Sequence, residues 1–282
     1  MNAISDEMRI VRGPSALGQD AGRFFALTRT LTLTDFRLKF YGSALGYLWQ
    51  LMRPLMLFGV LYFVFTHFIK FGAGVQHYPS ALLMGIVLYG FISEAIANSV
   101  DSVVAREPLV RKIQFPRLVI PTSVVATSLL NLMLNLIAVF GFMLANGVRP
   151  NVRWLELPVI LLAAVALAGG VAMIVSALFV RYRDVKPITD VVLQVLFYAT
   201  PIFYPVEKIT DLGLRHPVMM INPFAPIVQQ ARHAMIDSNA PSAAAAAGGT
   251  LNLMVPVFVI LGLVAVGFWI FNREAPRIAE EL

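Results

Sequence analysis

The chain has 282 residues, of which 58% are hydrophobic and 13% charged, with a mean hydropathy of +0.75 and a formal net charge of +6. Soluble domains carry about 25% charged residues, so this composition excludes a soluble domain and places the chain in a membrane. The absence of cysteine excludes disulfides, thiolate nucleophiles and cysteine metal ligands.

The first 20 residues contain Asp6, Glu7, Arg9 and Arg12 and lack an apolar core, unlike a secretory signal peptide. Phe24, Leu27, Leu31 and Leu38 then fall on one stripe at helical spacing. Phe25, Leu33, Phe36 and Phe40 form a second, with Arg29 among them. In a membrane protein this predicts an interfacial helix within an N-terminal segment, residues 1–53. A short soluble extension is the alternative.

Six apolar segments follow: Pro54–Phe71, Ser80–Val100, Leu118–Ala145, Leu157–Val180, Ile188–Tyr204 and Leu251–Phe271. The predicted fold is therefore an all-α integral membrane protein. It has a six-span domain over residues 54–271 and a tail over 272–282. An even number of spans puts both termini on one side. That side carries 16 of the 22 Lys and Arg residues and the other side 6. The positive-inside rule makes the richer side, with both termini, cytoplasmic.

Glu94 is the acid deepest in an apolar run, apart from Asp190 near the start of the fifth segment. An interfacial ion pair or a proton-relay carboxylate would account for Glu94. Ser128, Asn131 and Asn135 share one face of the third segment, as helix–helix glue or as the wall of a polar cavity. Small residues at steps of four in the fourth segment (Ala166 and Gly170, Ala168 and Ala172, Ala172 and Ser176) signal close helix packing.

The fifth segment is short and breaks at Pro201, with Phe197, Tyr198, Phe203 and Tyr204 crowding the break. A broken helix at membrane depth needs its freed backbone groups covered by protein or a water-filled cavity. The rings read either as the wall of a conduit or as an aromatic belt at the membrane surface. Residues 205–249 then form an unusually long connection. Asn222 and Pro223 read as a helix N-cap and first helical position. Ser238–Gly249 (SNAPSAAAAAGG) reads as a small-residue linker.

Two stretches carry a family resemblance. Arg183–Pro205, RDVKPITDVVLQVLFYATPIFYP, resembles the signature of type 2 ABC exporter permeases, particularly those that export polysaccharides. The basic and aromatic run Arg37–Tyr41, followed by Ser43, Leu45, Gly46, Trp49 and Pro54, is similar to the same family's approach to its first span.

The resemblance implies a permease subunit moving a lipid-linked polysaccharide across the bacterial plasma (inner) membrane. Two copies would assemble with two ATPase subunits, and those partners would bind ATP and Mg; no cofactor is expected on this chain. It implies short re-entrant helices in 205–249. It implies a cytoplasmic loop, 101–115, that docks on the ATPase through Arg106, Glu107, Val110, Arg111, Lys112 and Phe115. Such a loop pairs an apolar anchor with charges that set its register. The translocation pathway would be lined by Phe197, Tyr198, Pro201, Phe203 and Tyr204, and the cytoplasmic gate or interface by Arg37, Arg181, Arg183 and Asp184.

The chain has no Gly-Lys-Ser/Thr phosphate-binding motif, and its four histidines show no paired metal spacing. No catalytic residue, metal ligand or nucleic-acid partner is expected. The alternatives are a drug or lipid exporter permease of the same superfamily, a membrane-embedded glycan-modifying enzyme and an ATP-independent flippase.

Overall fold

A backbone in hydrocarbon must satisfy its own polar groups, and this chain does so with helices. The computed structural model describes residues 21–41, 45–70, 72, 74–112, 115–209 and 211–275. Residues 1–20, Ser43 of the motif before the first span, Ile113 and the tail beyond Ala275 lie outside them. Twelve α-helices occur among the described residues: α1 (Ala21–Phe40), α2 (Gly46–Phe63), α3 (Tyr78–Val100), α4 (Ser102–Ala105), α5 (Glu107–Lys112), α6 (Val119–Ala145), α7 (Leu157–Arg181), α8 (Val185–Ala199), α9 (Leu212–Ile221), α10 (Ala225–Met235), α11 (Ala243–Ala246) and α12 (Thr250–Glu274).

Five helical stretches are long and apolar enough to cross a membrane: Leu48–Phe68, Tyr78–Val100, Val119–Ala145, Val152–Arg181 and Thr250–Glu274. The fifth apolar segment of the sequence forms α8, only 15 residues long. At 1.5 Å per residue it reaches roughly 22 Å, short of a hydrocarbon core of about 30 Å. The first span begins earlier than expected. Pro54 does not start it; it sits inside α2. Lacking an N–H, it cannot make the helical bond to the Gln50 carbonyl.

α3 is the central helix, packed against α2, α6, α7, α8 and α10. Leu82, Leu88 and Ile92 on α3 join Leu132 and Met143 of α6 and Phe224 and Met235 near α10 in the main core. α7 and α12 run against each other at a small-residue seam. A Cβ on Gly170 would lie 2.8 Å from the carbonyl carbon of Leu263 and from the Val264 nitrogen. The small residues of α7 thus permit backbone contact. By contrast, no residue of the α2 span is buried within this chain.

A second core gathers Phe24 of α1, Val103, Phe115, Leu118, Val180 and Phe271. α1 packs on α6 through only part of the first expected stripe: Phe24, Leu27 and Leu31 face this cluster, whereas Leu38 of that stripe is exposed, and of the second stripe Phe25 is exposed and Phe40 buried. Lys39 at the end of α1 donates to Glu94 Oε1 (2.7 Å), and Asn131 Nδ2 of α6 donates to the same oxygen (2.6 Å). Glu94 is thereby an ion-paired helix tie, and Asn131 is the glue that holds α3 to α6.

At the opposite end lie α9, α10 and α11. Asn222 does not cap a helix that begins at Pro223. Its Oδ1 accepts from the Phe224 N–H (3.0 Å), its Nδ2 donates to Thr200 Oγ1 (2.9 Å), and the helix starts at Ala225. An Asx turn suits Asn before Pro, which restricts its predecessor to extended backbone. The small-residue run is no loose linker either. Ala243, Ala246 and Ala247 are buried, and Ala243 N–H donates to Gln230 Oε1 (3.0 Å). Small side chains let this backbone lie flat against α9 and α10.

Candidate functional site

α8 stands at the edge of the bundle and divides its own faces. Thr189 and Leu193 are buried against α3 and α7, whereas Ile188, Val191, Val192, Val195 and Tyr198 are exposed. Between α2, α3 and α8 runs a groove of about 290 Å³. Leu57, Tyr89, Ala97, Leu193, Phe197 and Tyr198 supply its apolar wall, and Ser93, Asp190 and Gln194 its polar groups.

The aromatic residues at the α8 break form one connected cluster. The Phe197 ring lies 4.8 Å from Tyr89, 5.3 Å from Tyr198 and 5.9 Å from Phe203. Phe203 stacks on Phe65 at 4.7 Å and meets Tyr204 edge-on at 5.1 Å. Only part of the cluster faces the groove. Phe197 and Tyr198 line it, whereas Phe203 and Pro201 are buried in the bundle. Tyr89 went unnoticed in the sequence because a lone tyrosine in an apolar helix carries no local pattern. Its hydroxyl donates to the Leu193 carbonyl (2.6 Å) and holds α8 to α3.

The break itself is covered by protein. Thr200 Oγ1 donates to the Leu196 carbonyl (2.7 Å), and the Ile202 N–H donates to the Thr200 carbonyl (2.7 Å). The Tyr78 hydroxyl, 125 residues away in sequence, donates to the Phe203 carbonyl (2.6 Å). Non-helical backbone is tolerated at membrane depth on this condition.

The 101–115 loop folds into α4 and α5. Arg106, between them, pairs with Asp35 of α1 and donates to Ser123 Oγ of α6 (3.3 Å). Phe115 is buried in the second core. Both residues, expected at a partner's surface, instead fasten the loop to this chain. An Arg beside a carboxylate and a Phe beside an apolar core each lower the free energy more by turning inward. Glu107 opens α5. Val110, Arg111 and Lys112 follow on the helix, with side chains outside the described part. Asp101, which precedes α4, accepts from Lys186 Nζ of α8 (2.6 Å), so the loop is tied to the groove helix as well.

The residues assigned to the gate are all exposed. Arg37 is on α1, Arg181 ends α7, and Arg183 and Asp184 lie in the turn before α8. Arg181 sits 5.5 Å from the Tyr182 ring and Arg183 4.9 Å from that of Phe179.

Past the break, Arg232 of α10 donates to both Glu207 oxygens (2.8 and 3.0 Å). Burial pushes the Glu207 carboxyl up, but the Arg232 hydrogen bonds and charge, with Arg215 nearby, hold it below the usual carboxylate range. Arg153 pairs with His233, and Trp154 Nε1 donates to the Met235 carbonyl (3.1 Å), fixing α10 to the start of α7. Among the described residues no His, Asp and Glu cluster could hold a metal ion.

The profile of the ABC-2 type transporter family matches residues 26–236, well over half of the chain. Two proteins of Klebsiella pneumoniae named O-antigen export system permease protein RfbA are each 28% identical over 265 residues, covering 93% of this chain and 96% of the relative. A Myxococcus xanthus protein of the same name is 26% identical over 221 residues, covering 78% and 84%.

Proposed function

Because the chain belongs to the ABC-2 type transporter family, we propose that it is the membrane subunit of an exporter that moves a lipid-linked polysaccharide out across the bacterial inner membrane. The observation that carries the substrate class is its alignment, over nearly its whole length, with permeases named for O-antigen export. The aromatic groove supports it. Ring faces offer apolar area to sugar C–H groups without demanding one hydroxyl pattern, which suits a polymer that must slide.

ATP and Mg are bound on a separate ATPase chain, two copies of which join two copies of this one. The second copy covers the uncovered face of α2 and the apolar face of α8, and the groove becomes half of a conduit between copies. α8 with the Thr200–Pro205 turn acts as a sixth transmembrane segment, both termini lie in the cytoplasm, and α1 lies at the cytoplasmic membrane surface. α9 and α10 are the re-entrant elements. α5 docks on the ATPase with Glu107, Val110, Arg111 and Lys112. The Asp101–Lys186 and Arg106–Asp35 pairs carry its movement to α8 and α1. Arg37, Arg181, Arg183 and Asp184 form the cytoplasmic rim that the glycan passes.

The test is glycan export, normalised to folded complex, in Tyr198→Ala, which lines the groove, and Tyr204→Ala, which lines the cavity beyond the break. Each is expected to fall about fivefold, the loss of one aromatic contact of roughly 1 kcal/mol. Wild-type export per complex in both variants would return these rings to the role of membrane anchors. ATP hydrolysis that responds to hydrophobic drugs and ignores lipid-linked glycan would replace the polysaccharide reading with drug export.

A further inference from the structure

At the far end of the bundle, a cleft of about 500 Å³ opens beside the α8 break. This is within the roughly 300–1,000 Å³ of small-molecule sites. Three short pieces of chain and Arg232 of α10 form it: the Gly74–Gln76 turn, the Val206–Lys208 turn and the Asp237–Ala240 loop after α10. Its walls carry two acids (Glu207, Asp237), two bases (Lys208, Arg232) and two amides (Gln76, Asn239).

We propose that this cleft is a saccharide-binding subsite that holds the hydroxyls of the glycan as it leaves the aromatic groove. The inference rests on the polysaccharide-export reading.

Three observations point to a sugar. The charges balance, so a polyanion or polycation gains little, while carboxylate, amide, ammonium and guanidinium groups line one space and offer a polyhydroxyl ligand both donors and acceptors. The walls are also held in place before any ligand arrives. Arg232 is 8% exposed and clamped by both Glu207 oxygens. His233 Nδ1 lies 2.6 Å from the Ala240 carbonyl, and Asp237 Oδ1 accepts from the Asn239 N–H (3.0 Å). Fixed walls lower the entropy lost on binding. Finally, the cleft continues toward the aromatic turn. Val75 and Arg232 also line a smaller cavity shared with Tyr78, Pro201 and Tyr204, which places aromatic faces next to the polar groups.

The cysteine-free chain allows a direct test. Single cysteines Asn239→Cys in the cleft, Gln194→Cys in the groove and Val152→Cys on an exposed turn near α10 would each carry a benzophenone maleimide. The probe is the cell's own metabolically labelled glycan, crosslinked by light in membranes containing the complete transporter and ATP. The expected result is capture by Asn239→Cys and Gln194→Cys at several times the Val152→Cys level. Adding Lys208→Ala or Gln76→Ala to Asn239→Cys should cut capture there about fivefold, one hydrogen bond's worth, and leave capture at Gln194→Cys unchanged. Capture at Gln194→Cys with none above the Val152→Cys level at Asn239→Cys would overturn the subsite alone. A protein adduct in place of glycan at Asn239→Cys would overturn it too. No glycan at any of the three positions would overturn the export reading beneath it.

Discussion

Removing the carboxylate of Glu207 leaves the buried Arg232 guanidinium without its counter-charge, and its lowered pKa makes that pair pH-dependent. The native state favours the ionised acid, so this contribution is fully present above the unfolded Glu value of about 4.3 and is lost as pH falls through the lower folded value. Glu207→Gln is expected to flatten the low-pH part of a thermal-unfolding profile of the purified protein. At neutral pH it should cost about 1 kcal/mol, since the Glu207 side chain is 38% exposed and solvent screens the pair. A wild-type slope in the variant would mean that other carboxylates dominate. Residue-level roles were only partly legible in the sequence. An ion-pair role for Glu94 could be read from one acid in an apolar run. The pairing of Arg106 with Asp35 spans 71 residues and follows from tertiary placement alone, so no local pattern announces it.

The elements reflect a contest between hydrophobic length and packing. α7 and α12 approach so closely at Gly170 that added volume must displace backbone. Gly170→Val is expected to destabilise the protein by about 1–3 kcal/mol through overpacking. Gly169→Val, one residue away with open space around it, should cost little by the same mechanism. Comparable loss of folded protein in both variants, read by fluorescence size-exclusion and melting temperature, would contradict the close-approach account. The small-residue spacing along α7 made this seam visible in the sequence. The length of α8 was less visible. The apolar run continues to Tyr204, but Pro201 and the hydrogen bonds from Thr200 and Tyr78 end the helix at Ala199.

At the scale of the whole molecule, the two ends differ in chemistry. The α1 end gathers Arg37, Lys39, Arg106, Arg181, Arg183 and Lys186, while the α10 end holds the mixed-charge cleft. If the basic end is cytoplasmic, a membrane-impermeant maleimide added to intact cells should label Asn239→Cys. A cysteine placed after Leu282 should be labelled only once the membrane is opened. Labelling of the terminal cysteine but not of Asn239→Cys from outside would rule out α8 as a crossing, since five spans exchange the two sides.

Composition and hydrophobic run length by themselves determined that this chain is a helical membrane protein, because hydrocarbon accepts no other open arrangement of backbone. The motifs of residues 183–205 were enough to indicate the family, since they lie in one continuous stretch. Tertiary structure decided which side of each element is used. It turned Phe115 and Arg106 inward, left only Phe197 and Tyr198 of the predicted ring set facing the groove, packed the alanine run against α9 and α10, and assembled a polar cleft from segments more than a hundred residues apart. Those outcomes depend on which faces meet once the helices pack, and a linear pattern carries the periodicity of a face but not the identity of its neighbour.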